Sequence, residues 1–396
     1  MTMTHPEKDM PYLDNAATTR PYPSVIARIT KVLREDFGNA SAPYGLGHRA
    51  KAILEESRAT IAQSLNAQPE EVFFTSGGTE ANNLAIRGAF LAALPQRDAV
   101  VVTALEHPSA TKSIRDIRRQ GYAVSYVDAP HGALDLDALS EALNPSCALI
   151  SVMQVQNVFG YRFPVDKTVR LRDKYAPDAL VHSDAVQAYG KLDLNPGGSG
   201  IDLMSISAHK VGGPKGVGAL YVRKGTKMFT TSFGGGQEYG LRSGTEAIPL
   251  IAGFAEAARV TFAQREKAMR LCADLKGYLE ASLRATFEDV VVNSRPDGIP
   301  SIVHFSLPGV NNEKAVKALS GLGIYVGISA ACDANHIKRG EPVRKKHPTV
   351  ARLAGVSATL ERNSFRVSFS KENRRKDIDA LIKALIPMRD GDPGDR

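Results

Sequence analysis

Three short segments carry residues whose types and spacing can do chemistry. In the first, residues 205–216, Lys210 ends an apolar run and is followed by Gly212, Gly213 and Gly216. Burial at a strand end depresses an amine's pKa and makes it nucleophilic, although a lone lysine there is more often a simple strand cap. In the second, residues 182–187, Asp184 ends another apolar run. An uncompensated carboxylate is costly in that position and calls for a cationic partner. In the third, residues 74–83, Gly77-Gly78-Thr79-Glu80 joins an apolar strand to a helix start. Backbone N–H groups and the helix dipole make such a turn a cup for phosphate. Each signal is weak alone. Together, on successive strand ends of an α/β sheet, they describe a ligand site. A lysine Schiff base, an aspartate against a protonated pyridine nitrogen and a phosphate cup are what pyridoxal phosphate requires.

The elements that must position these residues can be read from the pattern. Short β-branched runs alternate with amphipathic stretches, which predicts an α/β fold with a mainly parallel sheet wrapped by helices. Strands are expected at 72–75, 100–103, 149–154, 180–183, 203–207 and 219–222, and a helix around Val25, Ile26, Ile29, Val32 and Leu33 ends before Gly38. A helix from about 246 to 285 has the length to bridge two domains. Beyond it a βαβ-like arrangement is expected at 302–307, 313–319 and 324–328. A strand at 364–370 would turn Phe365, Val367 and Phe369 one way and Arg366 and Ser368 the other, and a helix at 378–386 would close the fold.

Composition sets the outer bounds. A chain of 396 residues with 43% hydrophobic and 23% charged residues is long enough for two or three units, or one large α/β domain with a smaller appendage. No apolar run is long enough to span a bilayer, and the first residues lack a signal peptide's apolar region, so no membrane association and a cytoplasmic location are expected. Cys147, Cys272 and Cys332 are too few and too scattered for a disulfide framework or a metal site. The net charge of +8 is mild over this length, which makes nucleic acid a poor partner.

The motifs, in their order, resemble cysteine desulfurases of the NifS/IscS type, within the class V aminotransferases. The resemblance runs through residues 12–19, 73–83, 106–107, 181–187, 202–222, 233–246, 329–332 and 363–369. It implies a PLP-dependent transferase of fold type I. A large domain (22–262) would hold a mainly parallel seven-stranded sheet, and a small α+β domain (1–21 and 263–396) would carry a catalytic cysteine loop. It further implies that Lys210 bonds the cofactor and later moves protons at the substrate Cα. Asp184 would hold the ring nitrogen, Gln187 the phenolic oxygen, and His107 would stack on the ring and serve as an acid–base group. Gly78, Thr79, Ser207 and His209 would cradle the phosphate, joined by Thr245 from the other subunit of a homodimer. Asn157 and Arg366 would grip the carboxylate of L-cysteine. As a thiolate, Cys332 would take the substrate sulfur as a persulfide, releasing alanine, and pass it to a sulfur acceptor or scaffold protein, as in iron–sulfur cluster assembly. Cys147 and Cys272 read as buried and inert.

The sequence departs from the family's pattern at three places. Val158 replaces a polar acid, Tyr44 stands where many members carry histidine, and Cys332 is followed by Asp333-Ala-Asn-His336 and a basic run to His347. Asp333 disfavours a thiolate, while His336, Lys338 and Arg339 favour it. The basic run would suit docking of an acidic acceptor. A selenocysteine lyase and an aminotransferase-like class V enzyme are the alternative readings.

Overall fold

The computed structural model describes residues 10–328 and 348–390, so Cys332 and the basic run after it lie outside the described residues. The chain enters through helices α1 (Pro23–Glu35) and α2 (Gly45–Ser64). Strand β1 (Val72–Thr75) leads into α3 (Gly78–Ala93), β2 (Ala99–Thr103) into α4 (Pro108–Arg119), and β3 (Ala123–Val127) into α5 (Leu136–Ala142). Strand β4 (Cys147–Ser151) is followed by α6 (Val165–Tyr175), then β5 (Leu180–Asp184), β6 (Leu203–Ser207) and β7 (Gly218–Val222). Helix α7 (Ile248–Thr286) is 39 residues long. After it come β8 (Val291–Val292), β9 (Ile302–Ser306), α8 (Asn312–Gly321), the short α9 (Val350–Leu353) and α10 (Ala358–Glu361), β10 (Ser364–Ser368) and α11 (Arg375–Asp390).

The seven-stranded sheet has the order β1-β7-β6-β5-β4-β2-β3. Only β7 opposes its neighbours; β6, β5, β4, β2 and β3 pair in parallel, and β1 runs with them because it too opposes β7. The carboxyl ends of six strands therefore gather at one edge, where α/β folds place their ligands. The strands expected from sequence are present with ends shifted by a few residues. Strand β3 was not foreseen: it lies at the sheet edge with most side chains exposed, so it lacks an apolar run.

A second, three-stranded antiparallel sheet, β10-β9-β8, builds the smaller unit. The βαβ expectation is corrected here. Residues 324–328 do not form a strand beside β9. They make single bridges, Tyr325 to Tyr12 and Gly327 to Arg366. Helix α7 joins the two units. Its first half (Ile248, Ile251, Phe254) packs on the core of the large sheet. Its second half (Cys272, Leu275, Leu279, Leu283) packs with Phe305, Phe365, Val367, Leu381 and Leu385. Ala351, Ala354 and Val356, late in the chain, pack on the large sheet's core. No described helix is long and apolar enough to cross a membrane.

Candidate active site

The turn after β1 begins the site. Gly77 caps α3 at φ 151°, where a side chain would be strained. A Cβ on Gly78 would stand 2.6 Å from Val186 Cγ2 and 3.7 Å from Ser207 Cβ, so the helix start lies against the ends of β5 and β6. Glu80, in the first turn, accepts from the Ser76 amide at 2.6 Å and from Arg242 Nε at 2.8 Å. Gly78, Thr79 and Ser207 thus share one corner with a helix N-terminus, which favours an anion.

Asp184 ends β5 and is only 4% exposed. Its Oδ1 accepts from the Val186 amide at 2.9 Å and its Oδ2 from Asn82 Nδ2 at 2.7 Å. Among the described residues no side-chain cation pairs with it, and a carboxylate so buried is costly unless a positive group reaches it. Lys210 closes a 3-10 turn after β6 and donates to the carbonyls of Ala16 and Ala17 at 2.6 and 2.7 Å. Gln187 Nε2 donates to the same Ala16 carbonyl at 2.8 Å, and Gln187 Oε1 accepts from Lys191 Nζ at 3.0 Å. Residues 16–17 therefore bring Lys210 and Gln187 together. Burial, with help from Lys210 and Lys215, lowers the His209 pKa to about 4, so this ring is neutral at pH 7; its Nδ1 lies 3.2 Å from Thr18 Oγ1.

His107 caps α4. Its Nδ1 accepts from the Ser109 amide at 3.2 Å and lies 2.7 Å from Ser109 Oγ. Beside it, Glu106 is buried, accepts from Thr103 Oγ1 at 2.8 Å and from the Met153 amide at 2.5 Å, and leaves Oε2 without a partner. Burial, then the nearby Asp184 charge, pushes its pKa up to about 8.

Arg366, on β10, is 1% exposed. Its guanidinium donates to the Asn157 carbonyl at 3.0 Å and to Asp14 Oδ1 at 2.7 Å, while Nε has no partner. A buried, unpartnered donor on a cation is a place for an incoming carboxylate. Asn157 meets Arg366 through its backbone; its side-chain oxygen lies 3.4 Å from Gln156 Nε2. Thr245 is exposed and lies just before α7. Cys147 and Cys272 are buried free thiols, and burial pushes their pKa up to about 11 and about 12, as expected for inert cysteines.

The donor set fits pyridoxal phosphate. A buried carboxylate lacking a cation, a lysine beside a glutamine amide and a glycine-floored helix start adjoin one another, each suited to one part of that group. Sequence reading gave no role to Asp14, Asn82 or Ser109, all of which contact the site. One signal for Asn82 was available: it falls on the α3 face with Ala81, Ala85 and Ile86, which are buried.

The aminotransferase class-V family model matches residues 11–381. A cysteine desulfurase of Bradyrhizobium diazoefficiens is 38% identical over 377 residues, covering 94% of this chain and 93% of its own. Another, of Nostoc sp., is 34% identical over 377 residues, covering 94% and 91%. Among solved structures, a NifS-like protein superposes with a TM-score of 0.87 at 30% identity, over 95% of this chain and 98% of its own. Fold, site and relatives agree: the chain belongs to the class-V aminotransferase family, among its cysteine desulfurases.

Proposed function

We propose that the protein uses pyridoxal 5'-phosphate to convert L-cysteine to L-alanine, leaving the sulfur on Cys332 as a persulfide for a sulfur-accepting protein. The observation that carries the reading is the pairing of two features: a lysine, glutamine and buried aspartate arranged for this cofactor, and a buried arginine with an unpartnered donor for an amino-acid carboxylate.

When bound, pyridoxal phosphate supplies an electron sink for charge developing at the substrate Cα. Asp184 would face its ring nitrogen, Gln187 its phenolic oxygen, and Gly78, Thr79, Ser207 and His209 its phosphate. Thr245 of the second subunit would complete that cup. Arg366 and Asn157 orient the substrate carboxylate, and Lys210 carries the proton released at Cα. In the net reaction the Cys332 thiolate attacks the substrate sulfur. The S–S bond forms as the C–S bond breaks, and Cβ takes a proton to complete alanine. No outside oxidant is needed, because cysteine and enzyme thiol become alanine and enzyme persulfide.

A domain division at 22–262 against 1–21 and 263–396 is supported by the two cores that α7 joins, with Ala16, Ile302, Ala351, Ala354 and Val356 of the second part packed on the core of the first. A homodimer is supported by large apolar side chains left exposed in this subunit, Phe233 (89%), Phe37, Phe229 and Tyr239 among them. A cytoplasmic location, where persulfides and reduced thiols persist, is part of the same reading.

Incubation with L-cysteine alone tests it. Alanine should form without any keto acid, and a keto-acid requirement would instead mark an aminotransferase. The parallel assay with L-selenocysteine separates a lyase: selenide release that survives Cys332→Ala, beside negligible cysteine turnover by wild type, would replace this reading.

A further inference from the structure

A chain of hydrogen bonds joins Asp184 to His107. Asn82 Nδ2 donates to Asp184 Oδ2 at 2.7 Å and to Ser109 Oγ at 2.8 Å. Ser109 Oγ lies 2.7 Å from His107 Nδ1, and the Ser109 backbone N–H donates to that same nitrogen at 3.2 Å. The directions of these bonds follow from what each group can do. Asn82 spends both amide hydrogens, one on the carboxylate and one on the Ser109 oxygen, leaving its own Oδ1 unpartnered. Ser109 Oγ, already accepting, turns its O–H toward His107 Nδ1. The backbone N–H cannot rotate away, and it is the first that α4 offers, because Pro108 at the helix start has none. His107 Nδ1 thus receives two hydrogens and has room for none of its own.

We propose that Asn82 and Ser109 are positioning residues that hold neutral His107 as the Nε2–H tautomer, so that it meets the reacting groups as a hydrogen-bond donor and not as a base. The inference rests on the proposed function and on the stacking of His107 on the cofactor ring that the resemblance implies, and it modifies the acid–base role expected from sequence. Proton abstraction falls to Lys210. The same chain ties the tilt of the imidazole to the carboxylate facing the ring nitrogen.

The test reads the proton directly. Histidine labelled with heavy nitrogen is incorporated into the holoenzyme, and the His107 signals are identified by their loss in His107→Gln. Nδ1 should resonate as an unprotonated, pyridine-type nitrogen and Nε2 as a protonated, pyrrole-type one, with or without cofactor. A proton on Nδ1, or on both nitrogens at neutral pH, overturns the proposal. Ser109→Ala removes one of two donors, which predicts a kcat about fivefold lower with KM within about twofold, and a Nδ1 signal shifted toward protonation. Ser109→Thr keeps the hydroxyl and should restore both. Unchanged kcat and unchanged nitrogen signals in Ser109→Ala also overturn it. A protein with the expected signals that releases no alanine from cysteine leaves the tautomer standing and sinks the functional reading.

Discussion

At the residue scale, the site works by controlling where protons and charges can rest. Glu106 is the clearest case. Its folded pKa, about 8, lies above the ordinary 4.5, so the folded protein holds a proton that the unfolded chain gives up between those values. Stability contributed by this group is therefore full below about pH 4.5 and lost as pH rises through about 8. Glu106→Gln removes the penalty. It should stabilise the protein by roughly 2–4 kcal/mol more at pH near 9 than at pH near 5, read as the difference in urea unfolding. An equal margin at both pH values would show that Glu106 is ionised throughout. Lys210→Ala should lower turnover on the order of a thousandfold or more and abolish the covalent link to cofactor, checked by borohydride reduction and peptide mass. Lys210 and Asp184 were legible because a charged residue at the end of an apolar run is conspicuous. Asn82 and Ser109 were not, since a polar residue near a helix start reads as a cap or a surface group until its partners fold against it.

At the element scale, strand β1 leads into the turn proposed as the phosphate cup, and it is an edge strand. Such edges leave backbone groups unpaired. Here a buried ion pair closes the edge. Arg58, on α2, donates to the Val72 carbonyl at 2.7 Å and binds Glu238 through two bonds of 2.7 and 2.9 Å. Glu238 in turn accepts from the Phe74 amide at 2.7 Å. The pair also fixes a turn in which Glu238 and Tyr239 take left-handed φ values of 48° and 55°, unusual for residues with side chains. Arg58→Ala would strand a buried carboxylate and should cost about 3–5 kcal/mol in chemical denaturation. A loss below about 1 kcal/mol would mean the pair is not desolvated. Helix α7 and the main strands were readable from local periodicity. This pair, 180 positions apart in sequence, has no local signature. Residues 324–328 look strand-like for the same reason in reverse: their apolar pattern serves packing, while Tyr325 exchanges backbone hydrogen bonds with Pro11 and Leu13, and Gly327 with Arg366.

At the scale of the whole molecule, residues 12–17 act as the seam. They bridge to the small unit at Tyr325 and Ser368, pair Asp14 with Arg366, and offer carbonyls to Lys210 and Gln187. The proposed substrate grip at Arg366 and the proposed chemistry at Lys210 would thereby be joined across two cores. The proposed homodimer is the remaining part of the reading. If Thr245 acts across the subunit interface, mixing inactive Lys210→Ala chains with Thr245→Glu chains should restore about a quarter of wild-type activity, since half the mixed dimers' sites regain both residues. No recovery after exchange is demonstrated would place Thr245 outside the partner's site. The most direct measurement of the whole account is the mass of the Cys332 peptide after one turnover with L-cysteine. It should gain one sulfur atom while one alanine is released, and Cys332→Ala should release almost none. Alanine formation at the wild-type rate by Cys332→Ala, with no sulfur retained on the wild-type peptide, would contradict it.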